Sequence, residues 1–487
     1  MWTRTVRLVA IGVLTGLGAL LLMPDPHRLS EQATGDPELV AMVRDAVDDP
    51  KGYRGLSVAL VEDGRVRFAG LGDRGDGTPA GPDTPFEIGS VTKVLTGMLL
   101  ADLVADGTVA PSDTLGTALP GITGESAGIT LEELASHRSG LPRIPLTSPS
   151  FLVRLLWANL SAGNPYGGQG RDDVVSVTSR LAPGGGRDTV SYSNLGVAVL
   201  GHALAAHTET TYAELLQRRL LAPLGMTATT VVHSPDDLPS DRARGAHASG
   251  RAASPWIGAG YAPAGVGVWS TAADLSRLLQ GVLTGLAPGA DAAAPRFDAG
   301  DDRIGYGWFT TRYADREITW HNGGTGGFSA FVGFDPAAGR GVVVLGNTDK
   351  DVDPVGLRLL GVGAQQAGGG HVGTPGWIRA AIGLVFPVLG AWSLRSAARQ
   401  GPDRLAVVSA GAWAVVMLLL AHRLGNWLLV PAPLWAAGVG LTAAAMALAV
   451  PRIRELSTTA PGRTRRRWTE AAFSLAFALA GLGAALI

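Results

Sequence analysis

The strongest constraint on this chain lies at its end. Beyond His371 the sequence holds four apolar segments, 377–394, 405–421, 427–450 and 471–487. Each approaches the ~20 residues that a helix needs to cross a bilayer. Backbone in hydrocarbon must satisfy its own hydrogen bonds, so such segments are restricted to helices. Trp377 and Trp427 stand at segment ends, where interfacial aromatics belong. A further apolar run, 7–23, follows Arg4 and Arg7; it is short for a span and suits a signal peptide or signal anchor. No small-x-small cleavage site precedes "PDPH", which favours the anchor. The rival arrangement, a buried bundle in a soluble protein, fits poorly with such long unbroken apolar runs.

Arginine sets the expected topology. The connection 395–404 holds Arg395, Arg399 and Arg404, and the connection 451–470 holds Arg452, Arg454, Arg463, Arg465, Arg466 and Arg467. By the positive-inside rule both are cytoplasmic, which puts residues 30–370 outside; Arg4 and Arg7 independently keep the N-terminus inside. The expected organisation is an anchor or signal peptide over 1–29, a folded domain over 30–360, a linker over 361–376, and a membrane domain of about four helices over 377–487. At 487 residues the chain exceeds one compact core, and a formal net charge of −1 gives no basis for a nucleic-acid partner. The absence of cysteine excludes disulfides, thiol catalysis and Cys-based metal sites.

Within 30–370, two β-rich runs meet at Asp63-Gly64 and read as a hairpin. Three more strand-like runs follow in "REITWHNGGTGGFSAFVGFDPAAGRGVVVLGN". Helical patterns lie between them, over 91–105, 130–136, 194–206, 212–221 and 272–283, and 148–171 reads as a loop. The fold class is therefore α+β: an antiparallel sheet completed by N- and C-terminal strands, with an inserted helical region, plus transmembrane helices.

Of 40 basic residues only three are lysine: Lys51, Lys93 and Lys350. Lys93 sits in "FEIGSVTKVLTGMLLADLV", one helical turn after Ser90, so both share one helix face. A serine hydroxyl needs a neighbouring base to act as a nucleophile. A lysine whose pKa is lowered by burial can take that proton, whereas an arginine stays protonated. Ser90 at a helix start also places its own N–H where an oxyanion could be held. The alternative is a serine cap followed by a surface lysine.

"VSYSNLGVAVLG" places Tyr192 and Asn194 at a second helix start, where a phenol could relay a proton and the amide could orient a substrate. "ITWHNGGTGGFSAF" puts His321, Gly323 and Gly324 on a strand running into glycines, which admits a substrate backbone along its edge. "TGESAG" matches G-x-S-x-G at Gly124–Gly128, but in loop context, so Ser126 reads as coincidence. The nine histidines show no paired metal-binding spacing, and neither metal nor cofactor is expected.

The ordered set S-x-x-K, Y-S-N, H-x-G resembles the serine β-lactamase and penicillin-binding superfamily. The tyrosine motif is similar to the class C β-lactamase and D-alanyl-D-alanine carboxypeptidase branch, which also contains esterases. "TLEELASHRSGLP" and "APAGVGVWSTAADLSRLL" support the likeness, which spans about 35–350. The resemblance implies Ser90 as acylated nucleophile, Lys93 and Tyr192 as coupled base and proton relay, and Asn194 as the residue that orients the substrate. It also implies a β-edge lined by His321 and Gly323, and an oxyanion hole from the N–H groups of Ser90 and Gly324. His321 stands where many β-lactamases carry lysine, which points toward carboxypeptidases or esterases. The resulting expectation is a membrane-anchored extracytoplasmic serine hydrolase acting on a peptidoglycan peptide, ester or amide. A class C-like β-lactamase is the alternative, and a non-hydrolytic cell-wall sensor is the rival of another kind.

Overall fold

A computed structural model describes residues 2–145, 149–184, 186–187, 189–314, 316–364, 376–401 and 403–458, and 468–479 except 470, 473 and 477. The runs joined at Asp63-Gly64 form a hairpin of β2 (Gly55–Glu62) and β3 (Arg65–Gly72), with the short β1 (Ala33–Gly35) beside β3. Asp63 and Gly64 both have positive φ, as a tight hairpin turn demands. The small strands β4 (Phe86–Glu87), β5 (Thr230–Val231) and β6 (Val268–Ser270) make a separate three-stranded sheet. The last strands are β7 (Phe297–Ala299), β8 (Asp302–Ile304), β9 (Phe309–Tyr313), β10 (Arg316–Gly324), β11 (Ser329–Asp335) and β12 (Arg340–Gly346).

They join the hairpin in one nine-stranded sheet, in the order β1-β3-β2-β12-β11-β10-β9-β8-β7. The termini thus complete one antiparallel sheet through the β12–β2 pairing, as the sequence predicts. Both faces are covered. Along β2, Ala59 and Val61 enter the core beneath the helical region, whereas Leu56, Val58 and Leu60 enter a second core under the helices Pro37–Ala46 and Asp353–Leu359. Side chains alternate across a strand, so a strand covered on both faces reads as continuously apolar.

The helix Thr92–Ala105 carries the S-x-x-K lysine and is buried on nearly every side, from Thr92 through Ala101 and at Leu103. Its apolar residues each contribute roughly 1.5–3 kcal/mol of burial, which offsets the cost of taking an amine out of water. The expected helices at 194–206 and 272–283 appear as Asn194–His207 and Ala272–Leu283, capped by Ser193 and Thr271. One expectation fails. The stretch read as a loop over 148–171 contains the helix Pro149–Ser161. Strands β7–β9 go unread from the sequence: β7 and β8 have three residues each, and β9 is the mostly polar "FTTRY".

Among the described residues, four helical segments are long and apolar enough to cross a membrane: Thr5–Leu22, Gly376–Gln400, Arg404–Leu424 and Pro433–Glu455. The first C-terminal helix runs through Arg395 and Arg399, leaving a connection of only 401–403 rather than the expected 395–404. The third ends at Glu455, so Arg452 and Arg454 are helical, while Trp427 lies in the turn before it. Most of the expected fourth segment, 471–487, and Arg463, Arg465, Arg466 and Arg467 lie outside the described residues. Gly12 faces Gly440, and Gly16 faces Ala436 and Gly440, so the N-terminal helix runs antiparallel to Pro433–Glu455. The small residues let the two backbones approach closely.

Candidate active site

The turn Gly89–Val91 leads directly into the helix Thr92–Ala105. Two backbone segments close around it. A Cβ at Gly89, whose φ is +49°, would meet Gly324 N at 2.8 Å. A Cβ at Gly323 would meet Ile88 O at 2.0 Å, and one at Gly265 would meet Gly89 O at 2.0 Å. Glycine at these positions is what allows the third motif and the 264–265 loop to reach the serine.

Lys93 is 1% exposed, with Nζ 2.8 Å from Ser90 Oγ and 2.7 Å from Ala264 O. Burial, and secondarily the Arg143 charge, push its pKa well below the usual lysine value. The lowered pKa makes its proton easier to lose, and once neutral the amine can donate to the carbonyl while its lone pair takes the Ser90 proton. The other two lysines are used differently: Lys51 binds the carbonyls of Trp427 and Leu428, and Lys350 those of Asp49 and Lys51.

Tyr192 hydrogen-bonds the Ser90 side chain, and Lys93 Nζ lies 5.0 Å from its ring centroid. Burial pushes the phenol up to about 12, so it holds its proton at neutral pH and serves as a donor. Ser193 fixes this segment: its Oγ accepts from Gly196 N at 2.8 Å and donates to Pro142 O at 2.9 Å. Asn194 begins the following helix, and its side chain meets the Tyr166 hydroxyl while its buried Oδ1 has no partner among the described residues. That buried oxygen keeps its capacity to accept a hydrogen bond.

β10 pairs with β9 only as far as Trp320, but with β11 to Gly324. The far end of β10, with His321, Gly323 and Gly324, therefore has one edge not taken by β9. His321 is buried and its Nδ1 donates to Asn322 O at 2.6 Å, which leaves Nε2 as a bare acceptor. Burial, with Lys93 adding to it, pushes its pKa down to about 3. It is neutral at physiological pH and cannot replace the charge of a lysine.

The family model described as Beta-lactamase matches residues 41–365. The chain belongs to the β-lactamase family. Among similar proteins, the D-alanyl-D-alanine-carboxypeptidase/endopeptidase AmpH of Escherichia coli is 29% identical over 263 residues, covering 52% of this chain and 64% of AmpH. The human putative beta-lactamase-like 1 is 32% identical over 262 residues, covering 50% and 49%. This chain therefore spans only about half to two-thirds of these relatives' length. In fold, the β-lactamase/D-alanine carboxypeptidase of Pseudomonas syringae aligns with a TM-score of 0.58 and 20% identity, over 66% of this chain and 99% of that one.

This β-lactamase-family domain brings all seven sequence-predicted residues, Ser90, Lys93, Tyr192, Asn194, His321, Gly323 and Gly324, into one region. It also contains two residues that the sequence reading gives no role. His137, at φ +56°, is buried with its ring centroid 4.5 Å from that of Tyr192. Its Nδ1 accepts from Ser193 N at 3.3 Å and its carbonyl from Ser191 N at 2.7 Å, so it grips the backbone on both sides of Tyr192. Glu87 is buried, accepts from Trp256 N at 2.7 Å, and is pushed up to about 8 by burial. Ser126, the G-x-S-x-G serine, is buried and donates to Leu181 O, far from this chemistry in kind.

Proposed function

We propose that this chain is a membrane-anchored serine hydrolase that works through an acyl-enzyme on Ser90, with carboxypeptidase-like or esterase-like activity. The observation that carries the reading is the buried amine of Lys93, its pKa pushed down by burial, at hydrogen-bonding distance from Ser90. A domain that only binds cell-wall fragments has no use for a desolvated base beside a hydroxyl, which disfavours the sensor reading. Neutral His321 disfavours an efficient class C-like β-lactamase.

In the proposed reaction Ser90 Oγ attacks the substrate carbonyl as its proton passes to Lys93 Nζ. The N–H groups of Ser90 and Gly324 hold the oxyanion, and the β10 edge and Asn194 align the substrate amide. The Lys93 ammonium returns the proton, through the Tyr192 hydroxyl, to the leaving nitrogen or oxygen as the scissile bond breaks. Water then attacks the ester, passing its proton along the same route, and Ser90 regains a hydrogen.

The proposed organisation keeps 1–29 as anchor, 30–360 as catalytic domain, 361–376 as linker and 377–487 as membrane domain, with the catalytic domain extracytoplasmic. Two contacts support this topology. Arg404 N donates to Ser457 O, which groups Arg404 with Arg452 and Arg454 at one end of the helices. Lys51 binds the 427–428 turn at the other end, on the catalytic-domain side. The positive ends thus point away from the catalytic domain.

The test is turnover by the purified 487-residue chain in detergent, with a D-alanyl-D-alanine peptide and a small acyl ester. Ser90→Ala is expected to lower kcat by about 10³-fold or more on whichever substrate is cleaved. Full turnover by that variant overturns the reading.

A further inference from the structure

Between the first two motifs the chain makes a long excursion from the active site and returns to it. It departs at Arg143, whose carbonyl accepts from Asn194 N at 3.2 Å, and comes back at Tyr166, whose hydroxyl meets the Asn194 side chain. In between, the helix Pro149–Ser161 packs against the apolar helix Arg404–Leu424. Its end sits at a definite level. Leu160 O accepts from Arg251 Nη1 at 3.0 Å, and burial, with the Arg423 and Arg379 charges adding to it, pushes Arg251 down to about 10. Arg423 lies in the last turn of Arg404–Leu424, and Arg379 O accepts from Asn426 N at 3.1 Å, beside the 427–428 turn that Lys51 holds. On the helix Ala158 is buried, while Val153 and Trp157 are 64% and 43% exposed. Four residues apart, those two share one face.

From this placement we infer that Pro149–Ser161 is an interfacial helix whose Val153–Trp157 face binds the outer leaflet, setting the Ser90 site at the membrane surface for substrates that an apolar tail holds in the bilayer. A large apolar pair at the level where spans leave the bilayer meets lipid, and tryptophan suits that boundary. A helix lying there buries its apolar face between headgroups and acyl chains. The face is continuous with the lipid around Arg404–Leu424, because the two helices are packed together. Both ends of the excursion are fixed on Asn194, so the same contact holds the site close to the lipid. The inference rests on the membrane-anchored acyl-enzyme reading above and narrows its substrate. Two sources supply the same chemistry: a peptide carrying an acyl chain, or the ester of a long-chain acid.

The experiment uses the full chain in phospholipid vesicles. The chain has no cysteine, so Val153→Cys and Trp157→Cys each give one site for a fluorophore, and Arg65→Cys, at the start of β3, gives an exposed control. Lipids brominated near the headgroup are expected to quench the labels at 153 and 157 by about half or more and to spare the control. Labels quenched no more than the control overturn the inference, whether they meet water or, by energy transfer between chains, a second copy. This readout needs no turnover, so it does not depend on the acyl-enzyme reading. For the substrate, one pair is an N-palmitoyl and an N-acetyl D-alanyl-D-alanine peptide; the other is a palmitate and an acetate ester. Wild type is expected to prefer the palmitoyl member of at least one pair, and that pair identifies the source. Val153→Asp combined with Trp157→Asp should lower the preference by about tenfold or more, with turnover of the acetyl member retained. A preference that is absent, or unchanged in the double variant, overturns the substrate claim. Turnover that survives Ser90→Ala overturns the parent reading and the substrate claim, but not the lipid contact that quenching reads.

Discussion

Lys93 Nζ lies 2.8 Å from Ser90 Oγ, with the lysine buried and the serine half-buried at the helix start. Size and charge alone do not explain a lysine there, because arginine is this chain's usual cation. Proton release does. Lys93→Arg is expected to keep the charge and lose about 10³-fold or more in acylation. The pH profile gives a second reading of the same residue. Burial lowers the Lys93 pKa, so activity is present above that lowered value and is lost as pH falls through it. His321, at about 3, and Tyr192, at about 12, stay neutral through the intervening range. A plot of kcat/KM against pH for a neutral ester should therefore show one acid limb, then a plateau. Activity that rises only near the ordinary lysine pKa, or a Lys93→Arg variant with wild-type rates, contradicts the assignment.

Tyr192 keeps its proton and hands it on. Tyr192→Phe preserves ring packing against His137 and Lys93 while removing the hydroxyl that bonds Ser90. The expected result is a loss of about 10²–10⁴ in kcat with little change in thermal stability. Unchanged kcat would remove Tyr192 from the proton path.

His137 acts through Tyr192, as a positioning residue. His137→Ala removes the acceptor for Ser193 N, and its left-handed backbone is costly for alanine. A fall of about tenfold or more in kcat is expected, with KM and the Lys93 acid limb little changed. His137→Asn tolerates the same φ and supplies an acceptor oxygen, so it should recover part of the loss. An alanine variant equal to wild type contradicts the positioning role.

Glu87 should betray itself through stability. Its folded pKa of about 8 stands above the ordinary 4.5, so the unfolded chain releases the proton first. Folding stability therefore falls as pH rises from 4.5 to about 8, then levels. Glu87→Gln retains an acceptor for Trp256 N and removes this dependence. Its advantage in thermal denaturation should grow from pH 5 to pH 8, reaching about 1–3 kcal/mol. An equal difference at both pH values contradicts the buried carboxyl.

What the sequence discloses is local. Asp63-Gly64 marks the first hairpin because that turn needs positive φ, and the three-residue spacing of Ser90 and Lys93 places them on one face whatever surrounds the helix. The near-complete burial of that helix is not visible, since it depends on segments brought from 264–265, 306–307 and 323–324. His137 and Glu87 stay hidden for the same reason: each gains its role from residues more than 50 positions away. The helix Pro149–Ser161 goes unread beneath its flanking serines, prolines and glycines, although "FLVRLLWANL" carries the apolar spacing that could have found it.

The most direct test of the central claim is the mass of the full chain in detergent after exposure to a penicillin, followed by peptide mapping. Ring opening adds the whole penicillin to the Ser90 oxygen, so the account predicts a gain of one penicillin mass, carried on the peptide containing Ser90 and absent from Ser90→Ala. An adduct on another residue contradicts it, and an unmodified chain with the penicillin left intact contradicts its carboxypeptidase-like form and leaves only the esterase to be tested with small acyl esters.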